Sequence, residues 1–519
     1  MSAPAPLRIV IVGAGVSGSG VAAGLVRAGA ADGFSARVDL VDPRPSLGAG
    51  LTYAPGGDPR HRVNVPSIRM AAAIGRTGEE GAEEDFHRWC LERGVLEADP
   101  AGWSEGLHYP ARSEFGRYLD ERLRPLFAAP GPVRVTHRRD RAVAAHRRGT
   151  AHGTRFVVEM AGGTAVEADA LVLCTGNPPP EPPAVLASLG GHPRVVADPW
   201  APGALDGVAR SDRVLIVGTG LTMGDVVATL LGRGHRGPLT ALSRHGLVPR
   251  PRPASATSWT DFTADPPTRV GDLLRRVRAA VAAARRAGRP WTDVLESLRL
   301  QNGALWSALP LDERRRFQRH LRVWWDVHRF QAAPQIARLV EAAQADGRLA
   351  VLVGRLVAAS AGECASGGDG LWVVHRPRGG DGLIGRSYDA LVNCTGAGHG
   401  TAFGRSALLA GLAAQGLIRP DRLGLGVEVD GRGRALDAAG LPVPGLFVVG
   451  PPTRGSLGEV VGASEIVPHA LGVADSLVAA LIPTGARGPG SAKNRARNEA
   501  RLTPRLNPIF LYERRKITR

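Results

Sequence analysis

Leu7-Arg8-Ile9-Val10-Ile11-Val12-Gly13-Ala14-Gly15-Val16-Ser17-Gly18 is a short β-branched run that ends in three spaced glycines. The apolar run, the tight turn and then Val21–Val26 at helical spacing read as strand, turn and helix in that order. In such a turn Gly13 permits the sharp bend, Gly15 lets backbone approach a pyrophosphate, and Gly18 lets helix and strand pack closely. The helix that follows offers free N–H groups and its positive end to phosphate. Arg37–Val41 reads as the next strand, and Asp42 at its end stands where a carboxylate accepts hydrogen bonds from a ribose. The segment predicts a dinucleotide-binding α/β unit.

The same grammar returns two hundred positions later. Arg213–Val217 reads as a strand, Gly218 and Gly220 as its turn, Leu221–Leu231 as a helix and Leu239–Ser243 as the next strand, ending at Arg244. Met223 takes the place of a third glycine, with Gly224 one residue later. A guanidinium at the end of that strand pairs with a 2′-phosphate, so Arg244 points to NADPH over NADH. Two units in one chain imply two dinucleotides, and by analogy the N-terminal one takes FAD.

Between and after them lie Ala170–Cys174 closing on Thr175 and Gly176, the proline-dense crossover Asn177–Pro183, and Tyr388–Val392 leading to Cys394, Thr395 and Gly396. Thr268–Ala287, Trp291–Leu300 and Leu311–Ala345 carry apolar residues at helical spacing and predict a helical insert. Leu446–Val449 before Gly450 reads as one more buried strand, and Gly462–Leu481 as a closing helix. The expected fold class is α/β: two Rossmann-like domains, a discontinuous FAD domain (1–205 and 356–483) with an NAD(P) domain inserted (206–355), the latter holding the helical insert at about 268–345. Residues 484–519 form a basic tail.

Length and charge agree with this reading. The 519 residues exceed what one core organises. The net charge of +17 is uneven, because Thr484–Arg519 holds eight Arg and two Lys against two Glu, a net +8. A nucleic-acid or acidic-partner role therefore rests on the tail, and a solvated tail is the favoured reading. Cys90, Cys174, Cys364 and Cys394 are far apart, without zinc-ligand spacing or a C-x-x-C pair. No metal is expected, and the thiols suit a reducing, cytoplasmic setting. No signal peptide is read at the start and no apolar run long enough to span a bilayer, so no membrane role is expected. Self-association stays open.

Several further segments, in order, carry a resemblance. They are Gly48–Tyr53, His61-Arg62-Val63-Asn64-Val65-Pro66 with Met70, Asp85–Trp89, Tyr109–Arg112 with Phe115, Gly116 and Tyr118, the two Cys-Thr-Gly turns, Trp324–Arg329, and Gly450–Gly455 with Glu465. Over roughly residues 7–482 the chain resembles FAD/NAD(P)-binding flavoproteins of the two-dinucleotide fold, similar to class B flavin monooxygenases and N-hydroxylating monooxygenases. The resemblance implies that Gly176, Gly396, Gly450, Gly455 and Glu465 join Gly13, Gly15, Gly18 and Asp42 around FAD, and that Gly218, Gly220 and Arg244 hold NADPH. Many such proteins carry an aspartate after the last strand's glycine, where this chain has Pro451. A backbone N–H near Gly455 or Ser456 is the expected substitute.

Reduced flavin passes electrons to an acceptor that the protein selects. A disulfide acceptor needs neighbouring thiols, which the sequence lacks. Carbonyl oxygenation carries an F-x-G-x-x-x-H-x-x-x-W/Y fingerprint, whereas Gly190-Gly191-His192-Pro193 and Trp200 lack its Phe and its spacing. The expected activity is therefore an NADPH- and oxygen-dependent monooxygenase that hydroxylates a small amine or amino acid through a peroxyflavin. The alternatives are a flavin reductase or dehydrogenase without oxygen insertion, and a binding protein acting through its tail. Candidate catalytic residues are Asn64, as donor to nicotinamide or peroxide, Arg62, as holder of a substrate carboxylate, and Arg329, which shares a helical face with Trp325. Each has a plain reading as loop or core. Glu465 opens the closing helix and serves either the flavin or the helix end.

Overall fold

The computed structural model describes residues 6–32, 34–70, 84–150, 153–363 and 368–481. Cys364 and the basic tail, with the roles considered for them, lie outside the described residues.

Two sheets organise the chain. The first has the strand order Arg434–Leu436, Pro442–Val448, Ala170–Leu173, Leu7–Val12, Ala36–Val41 and Val133–Arg138, parallel except for the first of these. Alternation along the opening strand explains why it sits centrally. Ile9 and Ile11 enter a core built with the helices Val16–Asp32, Arg112–Ala128 and Ala463–Leu481, while Val10 and Val12 enter a second core under the antiparallel meander Ala142–Ala168. A strand apolar on both faces belongs in the middle of a covered sheet.

The second sheet runs Val195–Val196, Ala390–Asn393, Val214–Val217, Leu239–Ser243 and Leu349–Glu363 in parallel, then Asp369–Pro377 and Ile384–Tyr388 in antiparallel. Its long strand Leu349–Glu363 starts in the parallel sheet, slips register between Leu356 and Ala358, and continues into the antiparallel hairpin. Such a bulge bends and twists a strand, and residues of the hairpin cover the Leu215 and Val217 face.

Three boundaries are corrected. A domain limit at 355/356 would cut Leu349–Glu363, and the second sheet takes strands as late as Ala390–Asn393 and as early as Val195–Val196. The stretch 311–345 is three helices, Leu311–His320, Arg322–Arg329 and Pro334–Ala345. The last of these packs on Leu221–Gly232, with Ile336 against Gly224, so it is the crossover helix of the second nucleotide unit. The insert proper is Val270–Arg329, around Phe262, Ala284, Val294, Leu298 and Leu305.

Ala463–Leu481, at nineteen residues, is long and apolar enough by length and composition to cross a membrane, which the sequence reading did not expect. Here it is a core helix lying against the first one. A Cβ at Gly20 or Gly24 would come within 2.9 or 2.7 Å of the Ala470 or Ala474 methyl, so small residues on both helices set the close approach.

Candidate functional site

The two glycine turns are built alike. Gly13 has φ +104° and Gly218 φ +112°, and a Cβ on either would run into a backbone carbonyl, that of Cys174 or of Cys394. Each cysteine amide bonds the strand end before its glycine, Val12 O and Val217 O, both at 2.8 Å. The two Cys-Thr-Gly segments thus brace the two turns from the neighbouring strand. A Cβ on Gly18 would strike Gly13 O, so this glycine serves helix packing. Gly15 meets only the backbone of Gly50, Cα at 3.4 Å and N at 3.8 Å, and Gly220, Gly176 and Gly396 meet nothing within 4 Å. The positions expected to face a coenzyme are therefore open, and the residues present fit a diphosphate at both helix N-termini.

Asp42 is buried, and its carboxylate accepts from Ala14 N at 3.0 Å and Arg44 N at 2.9 Å. It fastens the turn as well as standing at the ribose position. Gly450, at φ +83°, abuts Ser17 so closely that a Cβ would collide with its hydroxyl. Gly455 leaves no room beside Asp421, and its carbonyl accepts from Trp306 Nε1 at 3.0 Å. In the second unit Met223 is fully buried in the core where a third glycine was looked for. Arg244 is exposed at the strand end. Beside it Arg378 Nη1 donates to His245 Nδ1 at 3.0 Å. Partial burial and the charges of Arg378 and Arg244 hold that imidazole below its usual pKa, hence neutral and able to accept.

A polar latch joins the two units. Arg112 Nη2 reaches both oxygens of Asp225 at 2.9 and 3.1 Å, and Arg60 Nη2 donates to Gly232 O at 2.9 Å. Thr229 Oγ1 donates to Asp58 Oδ2 at 2.8 Å and lies 2.9 Å from His61 Nε2. All of these grip the helix Leu221–Gly232 that starts at the second turn. His61, in one of the segments that carry the resemblance, is thus a latch residue.

The expected catalytic residues are not brought to one point. Arg62 is 9% exposed, and its guanidinium is filled by Asp99, at 2.5 and 2.9 Å, and by Tyr109 O at 2.8 Å. The carboxylate-holding role expected of it does not fit this geometry. Asn64 Nδ2 donates to Gln331 O at 3.1 Å, two residues past Arg329. Arg329 Nη2 lies 2.7 Å from Glu459 and 3.3 Å from Glu465, so it too is paired within the protein. Glu465 Oε1 also accepts from Arg299 at 2.9 Å and from Ser464 at 2.9 Å, which makes it an ion-pair partner rather than a free acid at the helix end.

Sequence reading missed Glu459, whose side chain is 6% exposed. Burial is the main cause that lifts its carboxyl to about 7, and Glu465 adds to the rise against the pull of Arg329. The folded protein therefore keeps a proton that the unfolded chain, with its glutamate near 4.5, has released. Stability from this group falls as pH rises between those values. Glu459→Gln should raise Tm more at pH 8 than at pH 5, and an equal shift at both would refute the assignment.

Comparison with known proteins bears on the first unit directly. The FAD-NAD(P)-binding family profile matches residues 10–178. This segment is similar to an FAD-NAD(P)-binding domain. No curated protein matches the sequence. Solved structures similar to the whole chain include L-lysine 6-monooxygenase from Pseudomonas syringae, at TM-score 0.61 and 16% identity, covering 92% of this chain and 100% of that one. Ornithine hydroxylase from Pseudomonas aeruginosa gives 0.59 and 17%, again over 92% and 100%. Ornithine N-hydroxylase of Kutzneria sp. 744, solved with reduced FAD, NADP+ and L-ornithine, gives 0.57 and 18% over 91% and 99%. The matched segment thus sits in a chain that shares their fold nearly end to end. Among the described residues no group of three His, Cys, Asp or Glu side chains gathers as a metal site.

Proposed function

We propose that this chain is an FAD- and NADPH-dependent monooxygenase that hydroxylates the nitrogen of a small amine or amino acid. The observation that carries the reading is the pair of open, equally braced glycine turns, latched to one another, in a fold shared with N-hydroxylating enzymes. The reaction balances as amine, O2, NADPH and a proton giving hydroxylamine, NADP+ and water.

A bound FAD supplies the means to take an electron pair from NADPH and deliver it to oxygen. Gly13, Gly15, Gly18 and Asp42 hold its diphosphate and ribose, with Gly176, Gly396, Gly450 and Gly455 in the surrounding turns. Gly218 and Gly220 hold the second diphosphate, and Arg244 with Arg378 beside it receives the 2′-phosphate. Asn64 tethers its loop to Gln331, just past the insert. Against a thiol acceptor stand Cys90, Cys174 and Cys394, each buried and each with its thiol pushed up by that burial. They suit a reducing, cytoplasmic setting.

Purified protein should be yellow, and oxygen uptake with NADPH should quicken when the right amine is added. Bleaching by NADPH without oxygen uptake would instead identify a reductase. Arg244→Ala should weaken NADPH about tenfold, the scale of one charge-assisted hydrogen bond, and leave NADH unchanged. Equal losses for both coenzymes would remove Arg244 from the 2′-phosphate.

A further inference from the structure

A cavity of about 440 Å3 lies between the insert helices and the loop that leads into the closing helix. That volume is within the ~300–1,000 Å3 usual for small-molecule sites. The helix Val270–Arg286 turns Leu273, Val277 and Val281 toward it at i, i+4 and i+8, and Leu295, Trp325 and Phe317 face them. Leu273, Val277 and Val281 are half-buried: they pack on the insert core around Phe262, Val294 and Leu298 and also line the cavity.

Gly458 and Glu459 close one end, in the loop between Gly455 and the closing helix. The Glu459 amide is held by Asn302 Oδ1 at 2.8 Å, which fixes the backbone. Its carboxylate touches Arg329 but makes no hydrogen bond of proper geometry among the described residues, and Arg329 is shared with Glu465. Arg278, Arg322 and Arg454 also line the cavity. Arg322 pairs with Asp326 at 3.4 Å, and Arg454 Nη1 donates to His399 Nε2 at 2.9 Å. A buried carboxylate short of donors, at the mouth of an apolar chamber, lacks an N–H. Arg62 is filled by Asp99 and Tyr109 O, so it is not available to a substrate carboxylate.

We propose that this cavity is the substrate site and that its ligand is an apolar amine, with a hydrocarbon or aromatic body among the insert helices and its nitrogen hydrogen-bonded to Glu459. The inference rests on the N-hydroxylation reading and narrows its amine to one with an apolar body. Burial brings the Glu459 carboxyl to about 7, which suits a further step. Glu459 takes one proton from the bound ammonium; an N–H bond breaks, an O–H bond forms, and the amine keeps the lone pair that oxygenation requires.

The test uses the holoprotein and n-octylamine, read by quenching of the tryptophans that line the cavity. Saturable quenching is expected, at least about tenfold tighter than for n-octanoate or L-ornithine. Val277→Trp, which fills the chamber, should remove the response. Glu459→Gln should erase the preference for octylamine over n-octanol while a thermal melt shows the fold retained. Equal binding of octanoate or ornithine, or unchanged octylamine binding in both variants, would overturn the proposal. Octylamine binding without faster oxygen uptake upholds the site and defeats N-hydroxylation. Uptake stimulated by an amino acid, with no octylamine binding, defeats the site and upholds the reaction.

Discussion

Gly15→Val yields a folded, soluble protein without its yellow colour. A Cβ at Gly15 meets only the backbone of Gly50, at ordinary contact distances of 3.4 and 3.8 Å, so the backbone has no cause to move. The two γ-methyls of valine then occupy the concavity where the helix Val16–Asp32 presents its N-terminal N–H groups, the place of a pyrophosphate. Flavin affinity should fall at least about 100-fold, or ~2.7 kcal/mol at 1.4 kcal/mol per tenfold. The neighbouring glycines behave oppositely. Gly13→Ala forces a methyl into the Cys174 carbonyl at φ +104°, and Gly18→Ala forces one into Gly13 O. Backbone strain of ~1–3 kcal/mol for the former, and overpacking of similar size for both, make these folding defects. Flavin-to-protein absorbance and thermal melts separate the cases. A Gly15→Val protein with full flavin content, or a Gly13→Ala protein with unchanged Tm, would sink the assignment.

Arg112→Ala should cost about 3–5 kcal/mol, as expected when one partner of a buried pair is removed. The Asp225 side chain is 4% exposed and would lose the guanidinium nitrogen that reaches both of its oxygens. Asp225→Ala in the same background removes that orphaned side chain, so the double variant should be more stable than Arg112→Ala alone. Arg112 also stacks over Trp200 at 5.1 Å and donates to Arg62 O at 3.0 Å, so it anchors both units at once. Loosening it should slow flavin reduction by NADPH at least about tenfold with flavin content unchanged, because hydride transfer depends on alignment. Unaltered reduction kinetics would mean that the latch does not set the separation of the coenzymes.

What the sequence revealed and what it hid follow the range of the interactions. The two strand–turn–helix units were legible because backbone sterics at Gly13 and Gly218 are local, and the unbroken apolar run Ile9–Val12 already states that both faces are covered. Arg62 was misread because its partner Asp99 is 37 positions away and only the fold brings them together. Glu459 gave no signal at all; it lies outside any periodic element, and its burial is created by helices from the insert. The domain limit near 355 failed for a related reason. Leu349–Glu363 reads as two strand-length pieces, and only the bulge at Leu356/Ala358 shows that one strand serves two arrangements. The break at Pro334 was available in the residues, whereas that at Leu321 depends on tertiary packing.

The first sheet receives Pro442–Val448 beside Ala170–Leu173, and its first helix is covered by Ala463–Leu481. On the ribosome the opening strand is therefore made some four hundred residues before its lid, while the intervening unit can close on itself as soon as Asn393 has emerged. Autonomous units generally fold in order of synthesis; here the second-born would mature before the first-born. Until translation passes Leu481 the apolar flank of Val16–Asp32 stays bare, and a nascent chain halted before that point is a natural client for holdase chaperones.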